Sequence, residues 1–113
     1  MHGKLFPLCG GSILERYDVK LYARAYQDLD EIYAYIAGHL LNPSAATQLI
    51  DALDAAICSL EQQSERGALR RTGAYANRGY RQLFVKNYVI IYRVLKELKQ
   101  VHIVTICYMS HMI

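Results

Sequence analysis

The run NYVIIYRVLKELKQVHIVTICYM, Asn87 to Met109, reads as two apolar strands joined by a charged turn. In the first of them Tyr88, Ile90, Tyr92 and Val94 fall on one face, and Val89, Ile91 and Leu95 on the other, interrupted by Arg93. A chain of 113 residues builds one core, so the pattern predicts an undercovered second face, to be closed by chain termini, by self-association or by a bound partner.

Upstream the period changes twice. RYDVKLY alternates Tyr17, Val19 and Leu21 against Asp18 and Lys20, the pattern of a strand with one buried face. From Ala23, the positions Ala25, Leu29, Ile32, Tyr33, Ile36 and Leu40 recur at three and four residues, opposite Gln27, Asp28 and Asp30. LLNPSAAT ends this helix, because Pro43 disfavours helical geometry at Asn42; Asn42 or Ser44 can cap the next one. Its stripe is Ala46, Leu49, Ile50, Leu53, Ala56, Ile57 and Leu60, with Asp51, Asp54 and Glu61 outside it. QQSERGALRRTGAYANRG has no period and predicts a loop of about 15 residues. YRQLFV, YVIIYRVL and VHIVTICYM then follow as strands, with turns at KN and KELKQ.

The expected order is β-α-α-β-β-β: an α+β fold with a small curved antiparallel sheet and an N-terminal helical hairpin packed on one face. Residues 1–15, without a sustained period and ending near a glycine pair, read as an irregular leader before a domain over 16–113.

The net charge of +3 is a mild basic bias, but it is unevenly spread. Acids concentrate in the two helices, whereas Arg66, Arg70, Arg71, Arg78, Arg81 and Lys86 fall within 21 residues that contain no acid. Cys9, Cys58 and Cys107 are too widely spaced for a metal site or a disulfide framework, so a reducing, cytoplasmic setting is expected, with Cys58 and Cys107 as small core residues. No apolar run approaches the roughly 18 residues of a membrane span. No phosphate loop, nucleophile elbow or HExxH pattern is present, and no cofactor or metal is expected. His2, His39 and His102 have no ligand-like spacing.

ARAYQDLDEIYAYIA, NPSAATQLIDALDAAICSLEQQSERG, YRQLFVKNYVIIYRV and VHIVTICYMSH resemble, in order and spacing over about residues 16 to 111, the RelE/ParE superfamily of bacterial type II toxins. The resemblance implies a microbial-RNase-like fold and a cognate antitoxin that wraps and neutralises the toxin, as a hetero-oligomer or with a toxin homodimer. It leaves two chemistries open. RelE-like members are metal-free ribonucleases that cut mRNA in the ribosome, which requires convergent basic and Tyr or His side chains. Here the position after Tyr88 is Val89 where those sequences place Arg, and the ending CYMSHMI replaces a basic pair; Arg81, Lys86, Tyr108 and His111 are the substitute catalytic set. ParE-like members poison DNA gyrase by protein contact, and the helical hairpin followed by RQLFVKNYVIIYRV is nearer that branch. On this reading Arg70, Arg71, Arg78, Arg81, Tyr88 and Arg93 form the surface for target or antitoxin. A third reading is a toxin-like domain that has lost activity and survives as a binding module.

Overall fold

The computed structural model describes residues 16–73 and 75–109; the leader and His111 lie outside them. Five strands form one sheet, β1 (Asp18–Leu21), β2 (Ala68–Leu69), β3 (Arg81–Val85), β4 (Tyr88–Leu95) and β5 (Gln100–Tyr108), in the order β1-β5-β4-β3-β2. Two helices, α1 (Ala23–Ala34) and α2 (Pro43–Ser59), lie between β1 and β2 in the chain. This is the expected α+β architecture.

The sheet is mixed rather than wholly antiparallel. The β2-β3-β4-β5 ladder is antiparallel, but β1 runs parallel to β5, with Val19 level with Val101 and Leu21 with Ile103. The alternation in RYDVKLY specifies which side of β1 is buried and carries no information on its partner or direction. β2, two residues long, lies inside the segment expected to be loop, and pairs with the start of β3.

The helices pack on one sheet face. Leu49, Leu53, Ile57 and Leu60 from α2 and its end, with Ala25 and Ile32 from α1, meet Val19, Leu83, Ile90, Tyr92, Val101, Ile103 and Ile106 in one core. α1 passes into a π-helical turn over Tyr35–His39, closed by Leu40 N–H to the Tyr35 carbonyl at 3.0 Å. Leu41 then adopts φ 53°, and Asn42 Oδ1 accepts from Ala45 N–H at 3.2 Å as the cap of α2, with Pro43 at the first helical position.

The opposite face is less open than its pattern suggests. Val89 and Ile91 are 1% and 0% exposed. Residues 70–80 fold back on themselves, through Arg70 N–H to the Tyr80 carbonyl (2.8 Å) and Asn77 N–H to the Arg70 carbonyl (2.9 Å). The Arg70 guanidinium reaches Gln82, beside Ile91, and Tyr80 lies under Arg93. The supposed loop is thus an arch that takes up part of this face. Phe84 remains 54% exposed. Cys58 is disulfide-bonded, a departure from the unpaired core thiol expected, because sequence spacing does not show which thiols approach; Cys107 is free and half-buried.

Two acids expected on the solvent side of the helices are buried. Glu61 pairs with Arg16 at 3.0 Å, and its carbonyl accepts from Tyr17 N–H, which ties the entry of β1 to the end of α2. Asp28 has a larger task. β1 ends level with Ile103, so beyond that point β5 has no strand on its outer side among the described residues. There β5 carries a bulge between its pairings with Ile91 and Tyr92, and Asp28 Oδ2 accepts from Ile106 N–H at 3.0 Å and from the Thr105 hydroxyl at 2.5 Å. Its other oxygen faces Arg24 Nε at 3.4 Å. A side chain from α1 thus satisfies backbone that a strand would otherwise satisfy.

Removing that carboxylate strands two donors, each worth roughly 1–3 kcal/mol when buried unpaired. Asp28→Ala is expected to lower stability in urea denaturation by about 2–4 kcal/mol, and Asp28→Asn, which retains an acceptor oxygen, by less. A loss no larger than that of an exposed substitution would remove Asp28 from this role.

Candidate functional site

The sequence-predicted residues separate into three places. The first is a node around Gly67. Tyr92, fully buried in β4, accepts from Gly67 N–H at 2.9 Å, and Arg81 Nη1 donates to the Gly67 carbonyl at 2.6 Å and the Glu65 carbonyl at 3.3 Å. Lys96 holds the Glu65 carboxylate at 2.7 Å, and Arg66 Nη1 donates to Ser59 Oγ at 2.8 Å. The pair with Lys96 lowers the Glu65 pKa and raises that of Lys96; burial raises the Tyr92 phenol, with the Gly67 bond opposing. Arg81 therefore fastens the chain leading into β2, and its guanidinium is directed at carbonyl oxygens of the protein itself.

The second place is a groove of about 960 Å³ between the α1–α2 connection and the far ends of β4 and β5. Ile32, Ile36, Leu49 and Ile106 make it apolar, and Tyr35, Tyr88, Tyr108 and Lys86 stand along it. The Tyr88 and Tyr108 rings meet edge-on with centroids 5.3 Å apart. Burial, then the neighbouring Tyr108 and Tyr35, pushes the Tyr88 phenol above its ordinary pKa, which makes it a weaker acid. Lys86 takes φ 54° in the two-residue β3–β4 turn, where sequence placed it.

The third place is the helix-free face, with the arch. Arg71 and Arg78 are exposed on it. Arg70 is not a surface cation: it is 6% exposed and donates to Gln82 Oε1 at 2.6 Å. The Arg93 guanidinium lies 5.5 Å from the Tyr80 ring centroid, and Tyr75 sits 5.0 Å from Tyr80.

Of the substitute catalytic set, Lys86 and Tyr108 share the groove. Arg81 opens β3 while Lys86 follows its end, a separation of about 16 Å along a strand at about 3.3 Å per residue. Val89, in the position where RelE-like sequences carry a cation, is buried on the helix-free face. The six residues of the expected binding surface are likewise divided: Tyr88 belongs to the groove, Arg81 to the Gly67 node, and Arg70, Arg71, Arg78 and Arg93 to the arch and the sheet beneath it. Asp28 and His102 were not singled out as site residues, because their roles follow from strand partners that one sequence does not display.

A family profile described as the ParE toxin of the type II toxin–antitoxin system parDE matches residues 19–112, nearly the whole described domain. The chain belongs to the ParE toxin family. Among solved structures it is similar to the chromosomal ParDE toxin–antitoxin system of P. aeruginosa, with TM-score 0.67 and 24% identity, covering 83% of this chain and 97% of that one. It is also similar to the RelBE2 toxin–antitoxin complex of Mycobacterium tuberculosis, with TM-score 0.56 and 17% identity, covering 87% and 97%. These likenesses show a common fold. Among curated proteins none matches the chain in sequence. The ParE-family chain is thus a type II toxin–antitoxin toxin by family, with no helix among its described residues long and apolar enough to cross a membrane.

The Gly67 node predicts a steric result. A Cβ on Gly67 would stand 2.5 Å from the Gln82 carbonyl oxygen and 2.8 Å from the Tyr92 hydroxyl. Gly67→Ala is expected to displace β2 from β3 and free Arg81, seen as lost amide-exchange protection across residues 65–69. Tyr92→Phe, which keeps the ring and leaves the Gly67 N–H unpaired, should cost about 1–3 kcal/mol. Unchanged protection in Gly67→Ala would show that the node is not close-packed.

Proposed function

We propose that this ParE-family toxin arrests growth by contact with DNA gyrase, and that a cognate antitoxin neutralises it by occupying the groove beside the β5 edge. The observation that carries the first part is the commitment of Arg81 to the Gly67 and Glu65 carbonyls. Metal-free RNA cleavage needs cations free to stabilise a crowded phosphorane, with a base and an acid beside them. Arg81 is spent on the fold and Val89 supplies no charge, which leaves Lys86 and Tyr108 as the members of that set in the groove among the described residues. Contact with a protein makes no such demand.

The second part is supported by the shape and chemistry of the groove. Its apolar floor beside a strand edge that has no strand neighbour among the described residues suits an amphipathic segment that orders on binding, a mode in which backbone pairing supplies affinity and side-chain pockets supply selectivity. The similar solved structures are of toxin–antitoxin systems, which supports the same expectation for this chain.

The chain should bind purified gyrase at micromolar concentration or tighter, measured by surface immobilisation of the enzyme, and Lys86→Ala with Tyr108→Phe should still bind within about threefold. Ribosome-dependent cleavage of mRNA by the wild-type chain, abolished in that double variant, would instead establish the interferase reading. Absence of both activities in a folded protein would leave the inactive binding module.

A further inference from the structure

The helix-free face carries a feature that lies outside the groove. The register places Lys20 of β1 level with His102 of β5, and His102 level with Arg93 of β4. Side chains level across adjacent strands share a face, so the three form one row across the sheet. Strands about 4.8 Å apart put the outer two Cα atoms about 10 Å from each other. Tyr80 continues the row under the Arg93 guanidinium, and Tyr75 packs beside Tyr80. Lys20 is exposed, and His102, Arg93, Tyr80 and Tyr75 are each partly exposed.

We propose that the Lys20–His102–Arg93 row, with the Tyr80 and Tyr75 rings at its end, binds single-stranded nucleic acid by its phosphate backbone. The rings decide between partners. An acidic polypeptide needs only the cations, whereas a single strand also presents bases that stack on aromatic and guanidinium faces. Arg71 and Arg78, exposed on the same arch, extend the positive surface past the rings.

His102 makes the site sensitive to pH. Its Nε2 lies 2.9 Å from Gln100 Oε1, which can only accept, so Nε2 carries a proton; Nδ1 lies 3.2 Å from the Tyr22 hydroxyl, which donates to a bare Nδ1 and accepts from a protonated one. Burial, then the positive charges of Arg93 and Lys20, holds its pKa below the ordinary histidine value. The groups around it are Lys20 and Tyr22 at β1 and its end, Gln100 on its own strand and Arg93 on β4; the nearest acid along β1, Asp18, stands level with Gln100. A phosphate seated between Lys20 and Arg93 offsets their repulsion and raises the His102 pKa. Binding therefore takes up a proton and tightens as pH falls.

The test is fluorescence anisotropy of the full chain with oligo(dT) and oligo(U) of about 12 nucleotides, over a salt series at about pH 7.5 and about pH 5.5. For a single strand each phosphate contact contributes about 0.7 to the slope of log affinity against log salt. The wild-type slope is expected to be steeper at the lower pH by about 0.7, and Lys20→Gln with Arg93→Gln should reduce it by about 1.4 at both. His102→Gln should erase the difference between the two pH values and leave the slope at the higher one unchanged. Because the Arg93 change can disturb Tyr80, the wild-type His102 ring is also titrated by NMR: its pKa must rise when oligonucleotide is added. No binding at low salt, slopes unmoved by the variants, or an unshifted His102 would each overturn the proposal. Displacement of the oligonucleotide by polyglutamate as effectively as by a competing oligonucleotide would reassign the row to an acidic polypeptide.

Discussion

One edge of β5 has to satisfy two different neighbours. Over residues 100–103 it pairs with parallel β1; beyond Ile103 the strand ends, the chain turns into α1, and the open backbone is met by the Asp28 carboxylate. Exposed strand edges recruit other strands, and a charged side chain set against the edge is one way to limit that. Here the charge is buried and fully used, through Ile106, Thr105 and Arg24. That bond fixes α1 against the end of β5, and the groove lies beside it, lined from α1, its π-helical turn, α2 and the end of β5.

The same pairing shapes the other face. Parallel alignment of β1 with the start of β5 brings Lys20 beside His102 and, across the next strand, Arg93. The two sheet faces thus carry unlike chemistry, an apolar groove with phenols on the helical side and a cationic row with rings on the other. Between them the Gly67 node ties the arch to β3 and β4. A toxin of this size has room for distinct surfaces because the arch and the α1 carboxylate do structural work that a larger protein would assign to further strands.

The chain's patterning made the strands of residues 81–108, both helices and the turn at Lys86 legible, since each has its own period or turn residue. It misread Asp28 and Glu61 as solvent-facing, because a helical stripe counts apolar residues and is blind to a carboxylate satisfied by a distant strand edge. It treated 62–79 as irregular, because β2 is two residues long and the arch is held by backbone bonds and by Arg70, which leave no period. The basic cluster was visible as composition, but not its division: Arg70 and Arg81 fasten the fold, while Arg71, Arg78 and Arg93 face outward or lie against a ring. The row through His102 needs two strand registers at once, and one of them, parallel β1, is a non-local pairing.

This ParE-family chain is proposed to act through contact with gyrase and not by cutting RNA. The most direct measurement is a supercoiling assay with purified chain and gyrase, read on a gel that resolves cleaved DNA. Inhibited supercoiling with accumulation of enzyme-trapped cleaved DNA is the expected result. Full supercoiling activity at micromolar toxin, with cleaved mRNA in a parallel ribosome assay, would contradict it.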